Sequence, residues 1–534
     1  MGGEAVKERL YLFDTTLRDG QQTPGIDFSV EDKRLIAKML DDFGLDYIEG
    51  GYPGANPTDT ALFAAPPDVK ASFTAFGMTK RPGRSVDNDP GLAELLAAKA
   101  KAICFVAKAW DFHVKVALGT SNEDNLENVA QSVKAACAKG FEALVDCEHF
   151  FDGYKANSEY ALAVAKTAYE AGARWVVLCD TNGGSMPHEI EEITKAVAEI
   201  VPGSNLGIHA HDDTGQAVAN SLAAVRAGAR QIQGTINGIG ERCGNANMTT
   251  LIPNLVLKPW FQERFETGVS AQSLTGLTKL SRRFDELLNR RHVRQQPYAG
   301  ESAFATKAGI HASAILKDPH TYEHVAPEAV GNERRLLVSD QAGKSNLLAA
   351  LDRVGLNAGK DDPRLDGLLR EVKEREAEGY AYEAADASFE LLARRKLDGV
   401  PHYFDVESYR VMVEQRHNAL GELVTVSEAV VKVKVSGETI LSAGEGNGPI
   451  NALDVALRKD LGKFQKYIED LELVDYKVRI LNGGTGATTR VLIESRDGHG
   501  ESWFTVGVSP NIVDASFQAL SDSIIYKLVR EGAR

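Results

Sequence analysis

Two histidines one residue apart, His209 and His211, stand in the stretch NLGIHAHDDTG at 205–215. The run before them is apolar and reads as a β-strand, on which positions i and i+2 point to one face. Two imidazoles projecting side by side suit a divalent cation that takes adjacent nitrogen ligands. Taken alone, the motif reads equally as two histidines on a solvated face. Other reactive residues fall at the ends of strand-like runs. Arg18-Asp19 close the first, Glu148 lies near the end of the fifth, Asp180-Thr181 close the sixth, and Glu241, Arg242 and Asn245 follow the eighth. One carboxylate, two imidazoles and an amide oxygen form a hard O/N donor set for Mg²⁺, Mn²⁺ or Zn²⁺. Positions left open for substrate point to Lewis-acid catalysis. Arg18 beside such a site would stabilise an oxyanion without losing its proton; a structural ion pair with Asp19 or Glu49 is the alternative. Glu148 reads as a base or the orienter of one, or else as a rim salt bridge. Thr181 reads as a hydroxyl for a substrate carboxylate, or else as a turn cap.

These residues meet only if a particular scaffold brings the strand ends together. Strand-like runs occur at 10–17, 47–53, 70–77, 102–108, 142–150, 175–181, 205–213 and 231–240, with helical patterns between most of them. Residues 31–43, 125–138 and 158–171 carry apolar side chains at helical spacing, and Gly172 and Gly228 read as helix C-caps before the next strand. This alternation over 1–275 predicts a (β/α)₈ TIM barrel, whose reactive groups sit at the strand C-termini. A doubly wound open sheet is the runner-up. The glycines of GIGERCGNA (238–246) lack the order and the early βαβ position of a dinucleotide-binding loop.

A helical linker region is expected over 276–401. From 402 to 534 period-2 alternation appears in FDVESYRVMVEQ, AVVKVKVSGE, YKVRILN, TTRVLIESR and ESWFTVGV. Helices following GNGPINALDVAL and SPNIVDASFQAL share a local pattern, which predicts an internal repeat within one C-terminal α/β domain. The chain of 534 residues is 43% hydrophobic and 25% charged, with a formal net charge of −15. That composition fits large buried cores and argues against nucleic acid or an anionic membrane as partner. Nothing resembles a signal peptide or a membrane span, and five scattered cysteines do not resemble a disulfide framework, so a reducing cytoplasm is expected.

DTTLRDGQQTPG (14–25), the histidine pair, NGIGERCGNA (237–246) and KAGIHASAILKDPHTYE (307–323) together resemble the α-isopropylmalate, homocitrate and citramalate synthase family. The resemblance runs from residue 10 to the C-terminal region. It implies a metal-binding (β/α)₈ barrel, a helical linker and a C-terminal regulatory domain. It further implies Asp19, His209 and His211 as metal ligands, with Asn245 as a fourth or indirect ligand. Arg18 would polarise a keto oxygen, Glu148 would be the catalytic glutamate, and Thr181 would contact an α-keto acid carboxylate. His311 and Tyr322 would act from a post-barrel segment that reaches the partner subunit's active site, so a homodimer is implied. Asp212 replaces the family's usual Asn after the histidine pair. Together with EHFF (148–151) and EGGYPGANPTD (49–59) it most resembles the branch that uses pyruvate.

The reaction implied is a Claisen condensation of acetyl-CoA with pyruvate, followed by thioester hydrolysis, in isoleucine biosynthesis. Isoleucine is then the implied feedback inhibitor. Isopropylmalate or homocitrate synthesis, a hydroxymethylglutaryl-CoA-type lyase (with Cys243 in its loop) and a non-catalytic scaffold are the alternatives.

Overall fold

The computed structural model describes residues 7–288, 290, 292–336, 344–356, 358–417, 419–481 and 487–534. Eight parallel strands close into a barrel. They are β1 (Tyr11–Asp14), β2 (Tyr47–Gly51), β3 (Ser72–Met78), β4 (Ala102–Lys108), β5 (Glu142–Glu148), β6 (Trp175–Asp180), β7 (Leu206–Ala210) and β8 (Gln231–Gly234). Closure pairs Tyr11 with Gln231 and Asp14 with Gly234. Each strand is followed by a helix: α1 (Val30–Phe43), α2 (Pro57–Ala64), α3 (Pro90–Ala97), α4 (Asn122–Ala138), α5 (Ser158–Glu170), α6 (Pro187–Ala198), α7 (Ala217–Arg226) and α8 (Met248–Leu257). The barrel expected from the alternation is therefore present, and the open sheet is not.

Local chemistry sets the helix ends. Ser29 caps α1 through a reciprocal pair with Asp32, and Gly44 ends it in the left-handed region at φ 109°. Gly172 and Gly228 adopt φ 107° and 121° after α5 and α7, as a C-terminal glycine must. Between strands and helices lies the main core, including Leu12, Ile48, Phe105, Val145, Val176 and Ile208. A second apolar cluster of Phe13, Tyr47, Cys104, Leu144, Trp175 and Val177 plugs the barrel interior. The Trp175 indole donates to the Tyr47 hydroxyl at 3.0 Å, so this plug is satisfied as well as packed. The barrel is thus a solid pedestal, and reactive groups are carried at its C-terminal mouth.

Several strands end earlier than the sequence suggests, and two of them, β7 and β8, shape the site. β7 stops at Ala210 because the chain turns out of the sheet there. His211 N–H donates to the Asp180 carbonyl, and Asp212 N–H to that of Gly244. His211 then forms an isolated bridge with Asn245. β8 stops at Gly234, before a loop whose Asn237 has φ 58°.

The chain divides into two compact units, residues 1–304 with 325–334 and residues 305–324 with 335–534. The second begins with helices α9 (Gly309–Ile315), α10 (Lys344–Arg353), α11 (Pro363–Glu378) and α12 (Asp386–Leu397). It continues as two similar motifs. In the first, β9 (Asp405–His417), β10 (Leu423–Val435) and β11 (Glu438–Gly446) form an antiparallel sheet, followed by α13 (Pro449–Arg458). In the second, β12 (Glu472–Ile480), β13 (Thr489–Arg496) and β14 (Ser502–Ser509) do the same, followed by α14 (Ile512–Arg530). The expected repeat is therefore a three-stranded sheet plus helix, used twice. Its shared core includes Val431, Leu453, Ile493, Trp503 and Ile524. Among the described residues no helix is long and apolar enough to cross a membrane.

Candidate active site

Asp19 leaves the end of β1 in a turn whose backbone N–H donates to the Thr15 carbonyl at 2.9 Å. From across the barrel mouth β7 supplies His209, and the bridge beyond it supplies His211. The three side chains converge although all are buried. His209 Nε2 lies 3.3 Å from His211 Nε2. Asp19 Oδ2 lies 3.5 Å from the first and 3.9 Å from the second. A point equidistant from these three atoms is about 2.1 Å from each, within the range of transition-metal bonds to nitrogen and carboxylate oxygen. Asn245 Oδ1, on a side chain bonded to Asp19, is buried with no hydrogen-bond partner among the described residues. A buried acceptor left in this way is costly without a cation or a donor beside it.

Protonation states agree with ligation. Burial pushes the Asp19 carboxyl up, but Arg18 and the two histidines outweigh it and hold its pKa at about 2. Burial, with His209 beside it, pushes His211 down to about 3, so its imidazole is neutral and keeps a lone pair. His209 Nδ1 meets Gln233 Oε1 at 2.8 Å, and Gln233 Nε2 donates to Asp146 Oδ1 at 3.0 Å. A carboxylate can only accept, which fixes the amide. The amide oxygen then takes a proton from His209 Nδ1 and leaves Nε2 bare for a metal.

Arg18 is clamped. Its Nε donates to Glu49 Oε2 at 2.7 Å, its Nη1 to Asp19 Oδ2 at 3.0 Å, and its guanidinium lies 3.9 Å from the centre of the Phe76 ring. Thr15 donates to the same Glu49 oxygen at 2.6 Å. Burial raises the pKa of Glu49, and Asp146 nearby raises it further, while Arg18 opposes both. The ion pairs expected of a structural Arg18 are thus present, and they hold the side chain against Asp19.

Asn245 joins the group, its Nδ2 donating to Asp19 Oδ1 at 3.1 Å. The loop that carries it passes Gly244, φ 93°, where a β-carbon would lie 1.9 Å from the Gly238 carbonyl oxygen. Asp212 does not join. Its carboxylate accepts the Ala217 N–H at 2.8 Å and caps the turn into α7. Glu148 ends β5 at the rim and is ion-paired with Lys108. Thr181 accepts the His149 N–H at 2.8 Å, and its carbonyl accepts from Arg242 at 2.6 Å. Among the described residues its hydroxyl hydrogen is donated to no acceptor. His311 and Tyr322 belong to the second unit, where both are exposed and their ring centroids lie 4.3 Å apart. Sequence reasoning missed Gln233 and Asp146. Their only signal was a polar residue inside an otherwise apolar strand.

Comparison with known proteins follows the same lines. Residues 9–280 match the family model described as HMGL-like. Residues 299–379 match a homocitrate synthase post-HMGL domain-like model, and 383–528 the LeuA allosteric (dimerisation) domain. The chain is 50% identical over 529 residues to an (R)-citramalate synthase of Aquifex aeolicus, covering 98% of each chain. It is 49% identical over 532 residues to one of Streptomyces coelicolor, again covering 98% of each. With one of Sulfolobus acidocaldarius it shares 42% over 530 residues, 97% of each.

Proposed function

The chain belongs to the (R)-citramalate synthase family of HMGL-like enzymes, and on that premise we propose that it condenses acetyl-CoA with pyruvate and releases (R)-citramalate and CoA. The observation that carries the chemistry is the convergence of Asp19 Oδ2, His209 Nε2 and His211 Nε2 around one cation-sized gap. A divalent cation held there, with Asn245 alongside, supplies Lewis-acid polarisation of the keto acid.

The protein's own groups do the rest. Arg18, fixed between Glu49 and Asp19, brings a permanent positive charge to the keto oxygen as it becomes an alkoxide. Because it is already oriented, no reorganisation is needed when the charge develops. Thr181 offers its hydroxyl hydrogen to the keto-acid carboxylate. Glu148 takes, or orients the base that takes, a proton from the acetyl methyl, with His311 and Tyr322 reaching in from the partner in a homodimer. Water then hydrolyses the thioester. Isoleucine binds the 402–534 domain and inhibits, and the enzyme works in the cytoplasm.

Thiol release from acetyl-CoA, measured with pyruvate, 2-ketobutyrate, 2-ketoisovalerate and 2-ketoglutarate, tests the reading. Pyruvate should give the highest kcat/KM. An added methylene or branch changes discrimination by roughly 1–3 kcal/mol in an apolar pocket. Preference for 2-ketoisovalerate or 2-ketoglutarate would replace citramalate with isopropylmalate or homocitrate as product.

A further inference from the structure

A second group of ligand-type side chains stands at the barrel rim, separate from Asp19, His209 and His211. His113 comes from a short helical segment after β4, and Glu148 and His149 from the end of β5. Each brings a metal-binding atom within 4.8 Å of the others. The two imidazoles are in ring contact, centroids 4.1 Å apart at 45°. Trp110 stacks on His113 with centroids 5.1 Å apart at 18° and holds that ring in place.

We propose that His113, Glu148 and His149 form a second divalent-cation site, suited to a borderline transition metal such as Zn²⁺.

Two observations support it. First, His149 Nδ1 is buried with no hydrogen-bond partner among the described residues, while Asp152 Oδ2 stands 3.6 Å from it. A carboxylate beside one ring nitrogen is an arrangement that orients a histidine for metal binding through the other. Second, His149 holds a left-handed backbone at φ 56°, uncommon for a residue with a β-carbon. The surrounding structure enforces it: the His149 N–H is tied to Thr181 Oγ1 at 2.8 Å. Strained backbone of this kind is retained where a side chain must be aimed.

The groups facing the site are Lys108, which is ion-paired with Glu148, and Asp152. Lys108 must yield Glu148 to an incoming cation, so this site is weaker than that of Asp19, His209 and His211. It also shares Glu148 with the proposed condensation. On that reading of Glu148, filling the rim site withdraws the carboxylate from the acetyl proton and slows turnover.

Zinc bound per chain after equilibrium dialysis against excess Zn²⁺, counted by atomic spectroscopy, tests the site without reference to activity. His113→Ala and His149→Asn should each bind one zinc fewer than the wild type. His209→Ala should also lose one, and His113→Ala with His209→Ala should lose two. Melting temperature checks that each variant is folded. An unchanged zinc count in both rim variants would overturn the proposal. In turnover, excess Zn²⁺ should inhibit the wild type severalfold, and His113→Ala should keep the basal rate while losing that inhibition. If the rim variants lose a zinc but inhibition persists in His113→Ala, the site stands and the assignment of Glu148 to proton transfer falls.

Discussion

Replacing Arg18 with lysine preserves the charge and removes the fork. In the structure the guanidinium reaches two carboxylates in different directions, Glu49 at 2.7 Å and Asp19 at 3.0 Å, while its face covers Phe76. A single ammonium at the end of a flexible stem cannot span both. One charge-assisted hydrogen bond is lost, about 1.5–3 kcal/mol in a buried setting. The larger effect falls on the transition state. A preoriented donor aimed at a developing oxyanion contributes about 2.7–4 kcal/mol, so kcat should drop by about 10²–10³. Binding of acetyl-CoA should hardly change. Thiol release under saturating substrates measures the turnover, and melting temperature checks that the fold survives. Arg18→Lys with kcat within a few-fold of wild type would refute the role of the planar fork, and with it the argument from the Glu49 clamp.

Gln233→Met removes the acceptor on His209 Nδ1 while filling similar volume; metal affinity should fall about 10–100-fold by titration, and the melting temperature should fall as well because buried Asp146 loses a donor. Burial holds His211 near pKa 3, below its unfolded value of 6.5. The unfolded chain therefore binds a proton that the folded one refuses, and stability falls as pH drops from about 6.5 toward 3. By pH 5 the metal-free protein should lose about 2 kcal/mol through this group. His211→Asn should flatten that part of the melting-temperature profile between pH 5 and 7. Gly244→Ala drives a β-carbon into the Gly238 carbonyl at a positive φ, so the loop carrying Asn245 must shift. It should lower stability by at least about 1–2 kcal/mol and weaken metal binding, read by thermal melts with and without Mn²⁺.

The barrel was legible because each strand is buried on both faces and therefore appears as a bounded apolar run between helical patterns. Strand ends were not legible. His211 looked like a strand residue, yet the chain has already left the sheet at Ala210, and a bridge to Asn245 restores the alignment of the two imidazoles. Asp19, His209, His211 and Asn245 were collected by residue type at and after strand ends, and their reading as metal ligands came from the family resemblance. Gln233 and Asp146, 87 residues apart, meet only because β5 and β8 face each other across a closed cylinder, and spacing along a chain carries no trace of that. In the C-terminal domain β11 was missed. ETILSAGEG is a largely exposed edge strand with glycines and weak alternation, so its pairing with β10 rather than its composition makes it a strand. The two readings offered for Arg18 were not exclusive, since the ion pairs that look structural are what aim the guanidinium.

Anomalous diffraction from crystals soaked in Mn²⁺, with pyruvate present, tests the central claim most directly. The account predicts a manganese peak within roughly 2.0–2.3 Å of Asp19 Oδ2, His209 Nε2 and His211 Nε2. No manganese between those three atoms, with the protein saturated and active, would contradict it.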